Sequence, residues 1–306
     1  MPKGLREISN RIKSVRSTAQ ITRAMQLVAS SKMRRAQETA LAGRDYTRLL
    51  SDVLDSALAG LAAGEGAHPL TEPRAGGVRG VLLVTTDKGL CGALNANLFR
   101  RLVEIPASAK FVTVGRKGSQ HLSRAGRTLL AEFPVSDKLS FAETRRASEY
   151  LLKLYLDGVV DTVEVLYPRF KNTLVQEAVL ETLLPIADMR AAAAAARARL
   201  GVGDANANAN APADATGAAT GAVPMNFEPS AGAVLAELPA LFVKNAVYHA
   251  IIEARASEHS ARMVAMKAAT DNAGKITDAL TLDFNKARQA AITQEINEIT
   301  AAALAA

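Results

Sequence analysis

Tryptophan is absent from the sequence, cysteine occurs once, and phenylalanine, tyrosine and tryptophan together make up 4% of it. A lone Cys91 excludes an internal disulfide and fits a reducing compartment. Scarce aromatics beside abundant alanine favour helices packed closely through small side chains over a sandwich or barrel. The four histidines, His68, His121, His249 and His259, show no metal-ligand spacing and read as surface or helix-face residues. No uninterrupted apolar run approaches the length needed to cross a bilayer. The start, MPKGLREISNRIKSV, lacks a signal peptide's apolar stretch and falls straight into helical periodicity. The expectation is a soluble protein, free to attach to a membrane complex.

What is present is unevenly placed. The net charge is +7, and residues 1–35 hold nine Lys/Arg against Glu7 alone, so that segment is +8 and the rest sums to −1. The same segment carries a seam at Ile8, Ile12, Val15, Ala19, Thr22, Gln26, Ala29, Met33, Ala36 and Ala40, with steps alternating between four and three. No proline interrupts it between Lys3 and His68, so a helix over about 5–61 is expected. A stripe of that length needs a partner helix. At the far end, from about 231 to 304, Met266, Ala269, Ala273, Ile276, Leu280, Phe284, Ala287 and Ala291 recur at similar steps, with one four-four step that resembles a stutter. Pro239 either kinks this helix or marks its first turn. The simplest burial of both seams is against each other, as an antiparallel coiled coil.

Between the two lies a different grammar. GVRGVLLVTT (77–86) and KFVTVG (110–115) read as buried strands, LCGALNANLFRRLVE as a helix, and FAETRRASEYLLKLYLDG (141–158) as an amphipathic helix ended by Gly158. DTVEVLYPRFKN and LVQEAVLETLLPI alternate like the strands of a hairpin. Strand–helix alternation predicts a small Rossmann-like α/β domain with a largely parallel sheet. Residues 191–222 lack core-forming side chains beyond Leu200 and Val202; the first alanines extend as helix and the ANANAN and Gly/Pro part reads as a flexible loop.

Few residues invite chemistry. TTDKGLCGALN (85–95) has the strand–glycine–helix form of a phosphate site, but lacks the Gly-Lys-Ser/Thr of a P-loop and the spacing of a dinucleotide fingerprint. After the second strand stand Arg116 and Lys117 where a ribose-binding acid belongs. A structural turn is the better reading. The basic first helix is open to nucleic acid, anionic lipid or acidic protein loops; no aromatics interleave for base stacking. Arg262, Arg288, Gln289 and Glu295 are polar positions on a helix of otherwise small residues, readable as a solvated face or as sparse docking points.

ISNRIKSVRSTAQITRAMQLVASSKMRRAQ, TTDKGLCGALNANL and SEHSARMVAMKAATDNAGKITDALTLDFNKARQAAITQEINEIT closely resemble the gamma subunits of F-type ATP synthases, with YPRFKNTLVQ and LETLLPI fitting less distinctively. The resemblance covers both terminal helices nearly end to end and the start of the middle domain. It implies a central, non-catalytic rotor shaft that couples proton-driven (sometimes sodium-driven) rotation of the c-ring to conformational cycling of the catalytic beta subunits. The implied partners are the hexamer of three alpha and three beta subunits, epsilon and the c-ring, with no nucleic acid, no membrane span and no cofactor. Met25, Arg262, Arg288, Gln289, Thr293 and Glu295 match family positions implicated in gamma–beta contact or coupling. The segment after LETLLPIADM is longer than in ordinary bacterial members. Chloroplast-type members carry an insertion near here with a cysteine pair that forms a redox switch; this one has no cysteine, which rules out a thiol switch.

The resulting expectation is α/β plus long helices: an antiparallel coiled coil of N- and C-terminal helices with a small α/β domain between them. Its boundaries are a first coiled-coil helix over 1–62, the α/β domain over 77–187, the insertion over 188–230 and the second coiled-coil helix over 231–306. The bacterial type, inferred from the lack of a transit peptide ahead of the first helix, implies a peripheral position on the cytoplasmic face of the cell membrane. The alternative is a free-standing α/β nucleotide-binding enzyme with coiled-coil arms.

Overall fold

The computed structural model describes residues 3–59, 68–74, 76–136, 139–199, 227–228 and 230–305. The low-complexity part of the insertion, 200–226, lies outside the described residues. The chain forms two compact units, one of residues 1–32, 90–92 and 259–306, the other of 33–89 and 93–258.

The first unit is built from α1 (Lys3–Ala42), as far as Lys32, and α7 (Ala231–Ala305), from His259 onward. Along α1 all ten seam positions are buried or half-buried, while Arg6, Arg11, Lys13, Arg16 and Arg23 are exposed. Thr22 and Thr270 share a hydroxyl–hydroxyl hydrogen bond of 2.7 Å. Counting outward from that bond in the antiparallel sense sets Gln26 level with Met266, Ala19 with Ala273, Val15 with Thr277, Ile12 with Leu280, Ile8 with Phe284 and Leu5 with Ala287. Every one of these positions is buried or half-buried, which is what a paired seam requires.

The register corrects one expectation. Ile276 points outward, 48% exposed, and Thr277 takes its place in the seam. With Thr270 and Thr277 included the steps alternate four and three without a break, so the stutter disappears. Hydroxyl bonds from Thr270 to the Met266 carbonyl and from Thr277 to the Ala273 carbonyl satisfy each side chain on its own helix, letting a polar residue occupy a seam position.

The second unit is a five-stranded sheet. Its strands are β1 (Arg79–Val84), β2 (Lys110–Val114), β3 (Thr128–Phe133), β4 (Thr162–Phe170) and β5 (Gln176–Leu184), in the order β3-β2-β1-β4-β5. The first four are parallel and β5 returns antiparallel to β4 as the expected hairpin. Successive side chains of β1 point to opposite faces. Leu82 and Val84 meet α5 (Phe141–Leu156) through Leu151 and Tyr155, and the first half of α7 through Val247 and Ile251. Val81 and Leu83 meet α3 (Leu94–Arg101) through Leu98 and α4 (Arg116–Arg124) through Leu122. Helices on both faces explain why β1 is an unbroken apolar run instead of an alternation. A capping box of Ser140 and Glu143 starts α5, and Gly158, at φ +72°, follows its end.

Two details depart from the sequence reading, at Gly43 and in the hydropathy of α7, and two refine it, at the start of the insertion and at Pro239. The first helix does not run unbroken to residue 61: it turns at Gly43, where an added Cβ would stand 2.8 Å from His249 Cε1, and resumes as α2 (Arg44–Ala59). The start of the insertion is a packed helix, α6 (Met189–Arg199). It buries Ala193 against Leu50, Leu54 and Leu238, and Arg197 bonds both Asp52 (2.9 Å) and Asp55 (2.6 Å) on α2. Pro239 sits inside α7, eight residues past its first residue, and neither starts nor ends it. Finally, an 18-residue window within Gly232–Ala301 reaches a mean hydropathy of 1.2, so by length and composition alone α7 could cross a bilayer. The window is 56% buried inside the protein, where its apolar character serves packing.

Candidate functional site

Beyond the last paired level the α7 seam runs past the first residue of α1, and among the described residues no partner helix continues alongside it. From Ile292 to Ala301 every residue of α7 is exposed. Ile292, Ile296 and Ile299 recur at four and three residues on this stretch, 48%, 57% and 69% exposed, with Thr293, Gln294, Glu295, Asn297 and Glu298 between them. On α1, Ile21 (58%) and Val28 (56%) lie seven residues apart on a face turned away from the seam. Large apolar side chains in stripes on an exposed surface mark a surface that another protein covers.

The six singled-out residues fall into two bands. Met25 is half-buried at the edge of the α1 seam. Arg262 is half-buried on α7, its guanidinium 3.3 Å from His259 Nδ1. Arg288, Gln289, Thr293 and Glu295 are all exposed. In the register set by Thr22 and Thr270, Met25 and Arg262 lie within two turns of each other, whereas Arg288 is about 40 Å beyond Arg262 along the helix. Within the outer band, Arg288 and Glu295 share one side of α7 at seven residues' spacing. Gln289 and Thr293 share another, joined by a 2.9 Å bond from the Thr293 hydroxyl to the Gln289 carbonyl. The structure therefore brings these residues to two levels of one rod; it does not gather them into a pocket.

The TTDKGLCGALN segment resolves as a turn. Thr85 Oγ1 accepts from the Gly118 amide (2.8 Å) and bonds the Gly115 carbonyl (3.0 Å), and Asn95 Nδ2 donates to Thr86 Oγ1 (2.7 Å). Asp87 Oδ1 accepts from the Arg116 amide at 3.1 Å. Thr85, Thr86 and Asp87 are thus engaged in holding the end of β1 to α3, to the end of β2 and to the start of α4. Gly115, at φ +98°, makes this possible, because a Cβ there would lie 2.2 Å from the Thr85 carbonyl oxygen. Cys91 is buried, 3% exposed, as a small packing residue. Among the described residues no group of His, Cys, Asp and Glu side chains converges to hold a metal ion.

A protein-family model described as ATP synthase matches residues 4–306. The ATP synthase gamma chain of Opitutus terrae is 50% identical over 98% of this chain and 98% of its own length, and that of Akkermansia muciniphila is 42% identical over 97% of each. The chain belongs to the ATP synthase gamma chain family. A chain of the Euglena gracilis mitochondrial ATP synthase, in an OSCP/F1/c-ring structure, shares the fold with a TM-score of 0.65 at 17% identity, covering 100% of this chain and 95% of its own. As a gamma chain, the protein is the central rotor shaft of an ATP synthase and a non-catalytic subunit of it. That status fits candidate residues strung along a rod.

Sequence reading missed a polar cluster on α7. Arg255 is 8% exposed and bonds Glu258 (2.9 Å), Asp87 (3.4 Å) and the Val135 carbonyl (2.8 Å). Burial alone would lower its pKa; the carboxylates of Glu258 and Asp87 outweigh that and hold it above the ordinary arginine value. An isolated arginine among helical residues carries no periodic signal, so nothing in the sequence sets it apart.

Proposed function

We propose that this gamma chain couples ion-driven rotation of a c-ring to the catalytic cycle of the beta subunits by turning the slim end of its coiled coil inside the alpha–beta hexamer. The observation that carries the reading is the end of α7: a stretch with every residue exposed, few charges and an isoleucine stripe that nothing else in its unit pairs with. In water such a stripe gains nothing; inside a protein sleeve its burial is favourable, at about 25 cal/mol per Å². The alanines on either side of the stripe, Ala290, Ala291 and Ala301, leave few projections there that would lock the shaft at one angle.

In this reading the exposed cations of α1 meet acidic loops of the beta subunits, and Met25 faces those loops. Arg262 sits at the same end of the paired region, and Arg288, Gln289, Thr293 and Glu295 form the second band of contact. Epsilon and the c-ring bind the α/β unit, and the whole complex lies on the cytoplasmic face of a bacterial membrane. The test is reconstitution of the tagged chain with alpha and beta subunits. A complex with one copy of this chain per hexamer and ATP-driven rotation is expected. ATP binding by the isolated chain, without assembly, would instead favour a free-standing nucleotide-binding enzyme.

Residues 200–222 lie outside the described residues, and their composition lacks core-forming side chains. Excising them is expected to leave assembly and rotation intact, because added loop length costs little and because Arg197, which ties α6 to α2, lies before the cut. Loss of the assembled complex on gel filtration would place the segment inside an interface.

A further inference from the structure

Resting on the rotor reading, we infer that Arg255 and Ser257 form a torsional clamp that keys α7 to the α/β unit, with Arg255 as the positioning residue that stops the helix from turning in its socket. A shaft transmits torque only if the part receiving it grips the shaft off-axis. Apolar packing resists rotation through the interlocking of side chains, but its driving force is non-directional and does not by itself single out one angle about the helix axis. Directed bonds on opposite sides of the helix resist rotation.

The structure supplies them at the end of α7's course through its unit. From His249 to Glu258 every residue except the half-buried Glu253 is buried, so the helix is enclosed on all sides. Within that enclosure Arg255 reaches Asp87, just past β1, and the Val135 carbonyl, just past β3. Asp87 in turn accepts from the Arg116 amide, just past β2. One guanidinium therefore ties the helix to segments leaving three adjacent parallel strands at their carboxyl ends. Two residues on, Ser257 donates to the Pro168 carbonyl of β4 at 2.8 Å. At 100° per residue, Arg255 and Ser257 leave the helix about 160° apart. Bonds on nearly opposite sides, to strands of one sheet, form a couple. Glu258 holds the Arg255 fork in plane, with both guanidinium nitrogens engaged.

The test uses the assembled complex with the end of α7 cross-linked to a beta subunit and a probe on the α/β unit, whose angular fluctuations report torsional stiffness. Arg255→Met keeps the bulk and removes the directed bonds; the expected result is a variance at least twofold larger than wild type. Asp87→Asn, which keeps an acceptor for the Arg116 amide, is expected to give the same direction and decides the matter if Arg255→Met fails to assemble. Glu104→Gln, which breaks a solvent-exposed ion pair with Arg101 at the end of α3, is the control and leaves the variance unchanged. A variance in the deciding variant that rises less than twofold, or that rises equally in the control, overturns the clamp. If the wild-type complex itself shows no ATP-driven rotation, the rotor reading is what fails.

Discussion

A complex carrying Arg288→Ala together with Gln289→Ala assembles with normal stoichiometry and turns over ATP about tenfold more slowly than wild type. Both side chains are exposed on α7, immediately after the seam residue Ala287, and neither enters the pairing with α1. Their removal therefore leaves the coiled coil intact. What is lost is a pair of directional donors on a surface of mostly small side chains. A charge-assisted bond from Arg288 to a beta-subunit carboxylate contributes about 1.5–3 kcal/mol. That is large enough to favour one rotor angle and small enough to be broken at each step. Steady-state hydrolysis by the purified complex is the measurement; wild-type turnover at full assembly would remove these two residues from the mechanism.

Gly115→Ala collapses the sheet's carboxyl edge, lowering the melting temperature of the chain by about 10 °C, equivalent to roughly 3 kcal/mol for a domain of this size. The new Cβ would lie 2.2 Å from the Thr85 carbonyl oxygen and 2.7 Å from its carbon, and both are backbone atoms that cannot swing aside. The φ of +98° adds strain of its own. Gly77 supplies the comparison: it also has positive φ, +74°, but open space around its Cβ position. Gly77→Ala therefore costs only the backbone term, about 1 kcal/mol. Calorimetry that found the two variants equally stable would show that the contact with Thr85 is not the controlling one.

Periodicity made most of this molecule legible, and its failures share a cause. The α1 seam was readable because its partner lies along one side, so burial follows spacing. On α7 the same reasoning chose Ile276 over Thr277, trusting hydrophobicity where a threonine bonded to its own helix fits the seam. Strand β3 went unseen because, at the sheet edge, its burial alternates only weakly, and α4 because RKGSQHLSR is polar almost throughout. The turn at Gly43 depends on the ring of His249, some two hundred residues away, and α6 on the Asp52–Asp55 pair. Arg255 belongs with these. Its meaning lies in where three strands end, which no local pattern records. Of the six residues proposed as contacts, Met25 and Thr293 were singled out only by family resemblance: Met25 is half-buried beside the seam, and Thr293 is an exposed polar residue among others.

The pairing of Thr22 with Thr270 spans 248 residues of sequence. During synthesis, at roughly 5–20 residues per second, the α1 stripe emerges about 12–50 s before its partner exists. Throughout that interval a helix with a continuous apolar edge has nothing to bury it. The dense positive charge of residues 1–35 then acts before any rotor is assembled: nascent copies repel one another, and the unpaired stripe stays in solution until the far end of the chain arrives. Neutralising those cations would be felt first as aggregation of newly made chains, ahead of any defect in the finished machine.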